Sequence, residues 1–248
     1  GSGYIVIWLA DERRAVAIDF QGILPNAIDT TDYPLEPSVP NSIMGFPGVA
    51  GNANVVGYKS ITVPGAVAGL SAAAQAHGRL GFDSLLSPAI QLAERGLPVD
   101  WFATLQIGLE AGELARFPAS AAVYLPGGAP AQPEQFLNLG NLGATLRILA
   151  DEGPDAFYKG AIATAMAKDL HDGGSRITVD DFAAYHPQFL TPLAHDHRGA
   201  ILYTPSENSG GQRLSEAFDF VTKHLDPSRP FGAHTYEIYA KALNQAFD

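Results

Sequence analysis

Tyr4-Ile5-Val6-Ile7-Trp8-Leu9 and Ala15-Val16-Ala17-Ile18-Asp19-Phe20 are two apolar, β-branched and aromatic runs of strand length. The polar stretch Ala10-Asp11-Glu12-Arg13-Arg14 separates them. Two such runs around a short charged link predict a β-hairpin. Their near-continuous apolarity predicts strands covered on both faces. Gln21-Gly22 and Ile23-Leu24-Pro25 follow, and Gly and Pro turn the chain out of the sheet. Gln21 is thereby placed at a strand end, where a side chain carried by a rigid scaffold can face a cleft.

The remaining composition allows a core and narrows the partners. Hydrophobic residues make up 46% and charged ones 17%, which excludes a disordered chain. A formal net charge of -11 argues against nucleic acid or an anionic membrane as the main partner. The absence of cysteine excludes disulfides, thiolate metal sites and a cysteine nucleophile, and leaves the compartment open. No stretch approaches the roughly 20 apolar residues of a membrane span. Residues 1–248 read as a single domain with both ends cut. Gly1-Ser2-Gly3, native or introduced, runs straight into a core strand, and Ala242 to Asp248 is a helical pattern without a stop signal. The expectation is a piece of a longer protein.

Along the chain, residues 26–62 show no period and predict a long loop, of the kind that is functional or mobile in compact domains. Val63-Pro64-Gly65 opens a helix to about His77, and Phe82 to Arg95 forms another that stops at Gly96. A helix from Val99 or Asp100 to about Arg116 and a second loop over 118–133 come next. Leu139 to Glu152 carries Leu142, Leu146 and Leu149 on one helical stripe. Gly153-Pro154-Asp155 breaks it before a helix from Ala156 to about Leu170. Thr178-Val179-Asp180-Asp181 has the form of an N-cap for a short helix over 180–185. Phe189–Ala194 and Ala200–Tyr203 predict strands, and Gln212–Lys223 and His234–Phe247 predict helices. Four strands among many helices, without βαβ alternation, point away from a doubly wound sheet.

Several catalytic signatures are missing: no phosphate-binding loop, no dinucleotide fingerprint after the first strand and no G-x-S-x-G elbow. His195-Asp196-His197 could pair on a metal, but without a third ligand nearby it reads as a solvated turn. His77, His171, His186, His224 and His234 are scattered and read as caps or surface residues. Asp180-Asp181 is explained by the charge preference of a helix N-terminus. Ser206-Glu207-Asn208-Ser209-Gly210-Gly211 leaves backbone N–H groups free to bind an anion or to pack closely, and the structural turn is favoured over a catalytic role for Ser209.

Separated stretches then agree with one family, in order. They are Gly3 to Trp8, Ala17-Ile18-Asp19-Phe20-Gln21, Val63-Pro64-Gly65-Ala66-Val67-Ala68-Gly69-Leu70 and Ser87-Pro88-Ala89-Ile90-Gln91-Leu92-Ala93-Glu94-Arg95-Gly96. Glu152-Gly153-Pro154-Asp155-Ala156-Phe157-Tyr158-Lys159-Gly160 is the most specific, followed by Ile177 to Phe182 and Pro205 to Gly211. The chain resembles the large subunit of γ-glutamyltransferases (γ-glutamyl transpeptidases), which are N-terminal-nucleophile hydrolases.

That resemblance implies an α+β fold, the αββα sandwich of the class, here a helix-rich portion incomplete without its small subunit. It implies a precursor that cleaves itself, so that a freed N-terminal threonine becomes both nucleophile and, through its α-amine, base. The threonine and the oxyanion hole belong to the small subunit, expected downstream of Asp248, so no catalytic residue, cofactor or metal ligand is assigned within this chain. The expected partners are that small subunit and a small-molecule amide of the glutathione type. Gln21 is the one substrate-binding residue assigned. It stands where the family has an arginine that clamps the substrate α-carboxylate through a bidentate, charge-assisted pair. An uncharged glutamine opens an alternative, an acylase with a substrate other than a γ-glutamyl amide. A catalytically dead structural remnant is the other.

Overall fold

The computed structural model describes residues 1–42, 45–197, 199–206 and 209–247. The two opening runs form the expected antiparallel hairpin, Tyr4–Leu9 with Arg14–Asp19, in register from Tyr4↔Asp19 to Leu9↔Arg14. Gln188–Leu190 adds a third strand beside Arg14–Asp19, which makes Tyr4–Leu9 an edge of that sheet. Position in the sheet explains burial. Ala17 and Ile18, adjacent on the central strand and so on opposite faces, are both fully buried, as expected. On the edge strand Val6 and Trp8 remain exposed, against the expectation of cover on both faces.

Contacts divide the chain into two compact units, one of residues 1–22, 64–69 and 186–248 and the other of 23–63 and 70–185. In the first, the run expected as one strand over 189–194 splits. Pro192 lacks an N–H, so the ladder ends before it, and Leu193–His197 pairs instead with Ala200–Thr204. His195-Asp196-His197 is therefore strand and not a solvated turn. The helix Gly211–His224 packs on this hairpin and on the helix Ala233–Phe247.

The second unit is mainly helical. Phe82–Arg95 ends at Gly96, whose φ of 94° favours glycine, and packs along Leu142–Glu152. Gly143 permits the close approach, since a Cβ there would lie 2.8 Å from Glu94 Cγ. Residues 118–133 depart from the expected loop, because Pro118–Tyr124 is helical. Proline is tolerated in a first turn, and Ala-Ser-Ala-Ala behind it favours helix until Pro126-Gly127-Gly128. The helix expected over 99–116 breaks at Glu110 into Trp101–Leu109 and Ala111–Leu114. That over 156–170 breaks at Lys159-Gly160 into Asp155–Tyr158 and Ala161–Asp172, with Gly160 extended and lying on the Ala156 carbonyl. The Thr178 cap forms as expected, on the helix Val179–Ala183. It buries Phe182 completely, while Tyr185 beyond it stacks on Tyr158, ring centroids 5.5 Å apart.

The long loop is closed rather than loose. Ile23 and Val63 bridge its base, and Leu35 and Val49 bridge its middle. Arg176 pairs with Asp32 and lies 3.6 Å from Asp29, while Lys59 lies 3.7 Å from Asp32. Asp181 accepts the Asn26 N–H at 2.9 Å.

Candidate functional site

The strand end at Asp19-Phe20-Gln21 is built from the glycines around it. Phe20 N donates to Gly3 O at 2.9 Å, which zips the hairpin to its last residue. The Phe20 ring lies on Gly69, where a Cβ would come within 2.2 Å of it, so the Val63–Leu70 motif needs glycine at that position. Gly1 O accepts the N–H groups of Gly65 and Ala66 at 2.8 and 3.0 Å and caps the helix Ala66–His77. Two otherwise unpaired helix donors are satisfied in this way.

With Phe20 buried, the alternation of the strand turns Asp19 and Gln21 to its other face. Asp19 Oδ1 accepts the Gln21 N–H at 2.8 Å, a local side-chain turn that ends the strand. The Gln21 side chain hydrogen-bonds the Tyr4 phenol, and Tyr4 stands directly opposite Asp19 in the register. Burial first, then the neighbouring Asp19 charge, pushes the Tyr4 phenol above its ordinary value, although the Gln21 bond pulls it down. Tyr4 is therefore a neutral phenol at neutral pH. The assembled group is Gln21, Tyr4 and Asp19, exposed at Gln21. Tyr4 and Asp19 are neighbours of Gln21 that the residue pattern alone does not single out. The signal for them is the hairpin register, which pairs residue 4 with residue 19.

The remaining candidates resolve as structural. Asp181 accepts the Thr178 N–H and hydroxyl at 2.8 Å each besides the Asn26 N–H, and its own N–H reaches Thr178 Oγ1. Burial pushes its carboxyl up, but these hydrogen bonds outweigh burial and hold it below the ordinary carboxylate value. In the Pro205–Gly211 turn, Glu207 and Asn208 lie outside the described residues. Ser209 Oγ donates to Pro205 O at 3.0 Å and accepts the Gly211 N–H at 3.1 Å, which fits a turn. A Cβ on Gly211 would meet Thr204 Oγ1 at 2.5 Å, so that glycine serves close packing. His197 Nδ1 lies 3.1 Å from Thr222 Oγ1, with its ring 4.9 Å from that of Phe218. Among the described residues, no group of three or more histidines and acidic residues could hold a metal. No helix among them is long and apolar enough to cross a membrane.

The chain belongs to the γ-glutamyltranspeptidase family, whose model matches residues 1–248. It is 36% identical to the acylase ACY 1 proenzyme of Pseudomonas sp. (strain SE83), over 78% of this chain and 35% of that protein. It is 28% identical to the glutathione hydrolase proenzyme of Escherichia coli (strain K12), over 100% of this chain and 41% of that protein. The crystal structure of Helicobacter pylori γ-glutamyltranspeptidase superposes with a TM-score of 0.87 at 26% identity, covering 100% of this chain and 69% of that one. The expected class, mixed helix and strand of the N-terminal-nucleophile hydrolase type, therefore holds. The chain spans 35% and 41% of the length of the two proenzymes it matches here.

Proposed function

We propose that the whole protein is an N-terminal-nucleophile amide hydrolase or acyltransferase and that this chain is part of its large subunit. A threonine freed by self-cleavage, on a small subunit outside these 248 residues, supplies both nucleophile and base. It attacks the amide carbonyl, an oxyanion hole stabilises the intermediate, and water or an amine accepts the acyl group. The open strand edge supports this two-part arrangement. Among the described residues Tyr4–Leu9 is apolar and has a strand neighbour on one side, and an unpaired strand edge is a site where another chain adds.

Among amides, an acylase-type substrate without an α-carboxylate is favoured over a γ-glutamyl one. The single observation behind this is the uncharged Gln21 beside the Asp19 carboxylate, at the place where the resemblance implies an arginine. The strand end thus offers a negative charge and neutral donors. Loss of a charge-assisted contact costs about 1.5–3 kcal/mol. Two relatives, at 36% and 34% identity, carry the name acylase, which supports the acylase class.

The test compares kcat/KM of the full-length protein for γ-glutamyl-p-nitroanilide and butyryl-p-nitroanilide. The reading expects preference for the butyryl amide, and strong γ-glutamyl turnover with Gln21 intact overturns it. A full-length chain that mass spectrometry shows uncleaved, and that turns over neither amide, is the structural remnant.

A further inference from the structure

The strand end at Gln21 presents a definite set of hydrogen-bond donors and acceptors. A carboxamide has two N–H donors and a carbonyl that accepts twice, more than the Tyr4 phenol engages. That phenol stays neutral, so it holds Gln21 without adding charge. Asp19 adds acceptors and a negative charge. Its Oδ1 takes the Gln21 N–H at 2.8 Å, and the residue stands opposite Tyr4 across the hairpin. All three residues lie in the same compact unit, and the hairpin register brings them together.

Three kinds of acyl terminus meet this set differently. A carboxylate has acceptors only, so it faces Asp19 with like charge and gives the Gln21 carbonyl no donor. A plain alkyl end strips water from the Gln21 amide and leaves it without a replacement partner. A primary carboxamide does neither. Its carbonyl accepts from the Gln21 amide, its own N–H groups donate to the Gln21 carbonyl or to Asp19, and it brings no charge. The match survives turning the Gln21 amide over, because donors and acceptor only exchange places.

We propose that this strand end selects an acyl group ending in a neutral carboxamide, with Tyr4 as the residue that positions Gln21. The proposal rests on the amide-hydrolase reading above and names its substrate class. A 4-carbamoylbutanoyl group places its carboxamide at the carbon where a γ-glutamyl group has its α-carboxylate. Glutaryl is its charged isostere, and butyryl is the same chain without the carboxamide.

The test measures kcat and KM of the full-length protein for the p-nitroanilides of these three acyl groups, beside the γ-glutamyl one. The 4-carbamoylbutanoyl amide should exceed both glutaryl and butyryl in kcat/KM by at least about tenfold. Gln21→Arg should reverse the first of these preferences, so that glutaryl overtakes. Tyr4→Phe should raise KM for the carbamoyl amide several-fold at unchanged kcat and leave butyryl turnover alone, a split that a merely structural role would not produce. A wild type that prefers butyryl to γ-glutamyl but takes the carbamoyl amide no better than butyryl or glutaryl overturns this proposal alone. So does an unchanged ratio of carbamoyl to glutaryl turnover in Gln21→Arg. Equal slowing of all three amides by Tyr4→Phe overturns the positioning role. Preference for the γ-glutamyl amide, or turnover of none of the four, overturns the underlying reading and this proposal with it. If Gln21→Arg fails to fold, the order of the wild-type substrates decides.

Discussion

Two aspartates at the ends of short elements accept backbone N–H groups, and their surroundings separate them. Asp181 is buried, with both oxygens engaged by Thr178 and Asn26, and closes the base of the long loop. Asp19 ends a strand, accepts the N–H of exposed Gln21 and stands opposite Tyr4. The same chemical group is a buried fastening in one place and part of an open polar cluster in the other. Burial together with a full set of donors marks the structural carboxylate, and a strand end facing solvent marks the candidate for substrate.

The largest effect that would sharpen this contrast comes from the support beneath the open cluster. Phe20→Ala removes a buried ring from Gly69 and should cost about 3–5 kcal/mol of stability. Thermal unfolding of the full-length protein measures it. A loss below 1 kcal/mol would show that the strand end is not anchored there.

Asp181→Ala should cost about 2 kcal/mol, since it removes the cap bond and leaves the Asn26 N–H unpaired. Its pH dependence has a definite sign. The folded carboxyl is held below its unfolded value, so its contribution is complete above about pH 3.9 and fades as pH falls through the folded value. Asp181→Asn should therefore flatten the acid limb of a urea-midpoint series. An unchanged limb would show that the Asp181 carboxylate does not contribute to acid stability.

At the open cluster the roles reverse. Gln21→Arg should change stability by less than about 0.5 kcal/mol, as exposed substitutions do. It should raise kcat/KM for α-carboxylate-bearing amides by roughly 10- to 150-fold, the rate equivalent of a charge-assisted contact. No change in the ratio of γ-glutamyl to butyryl turnover would mean that Gln21 does not contact substrate. The smallest effect belongs to Arg147, which pairs with Glu94 at 2.5 and 2.7 Å on an exposed face. Arg147→Ala should leave the melting midpoint unchanged within error, because solvent already screens the pair.

Local signals carried much of the fold. Glycine after Arg95 stops that helix through its positive φ, and Thr178 with Asp181 caps the next short one. Both are written within a few neighbouring residues, so sequence suffices. The breaks at Glu110 and Lys159-Gly160 were not legible, because helical periodicity continues through them while the backbone turns. His195-Asp196-His197 misled for a related reason: polar residues resemble a turn until a partner strand pairs with them.

By itself the sequence determined the family, the opening hairpin and the place of Gln21 at its end, since these follow from apolar runs, turn residues and ordered motifs. Only the tertiary structure decided what surrounds Gln21. Register sets Tyr4 opposite Asp19, and sheet order puts Tyr4–Leu9 at the edge of its sheet among the described residues. Both depend on hydrogen bonds between residues distant in the chain, which no local pattern encodes.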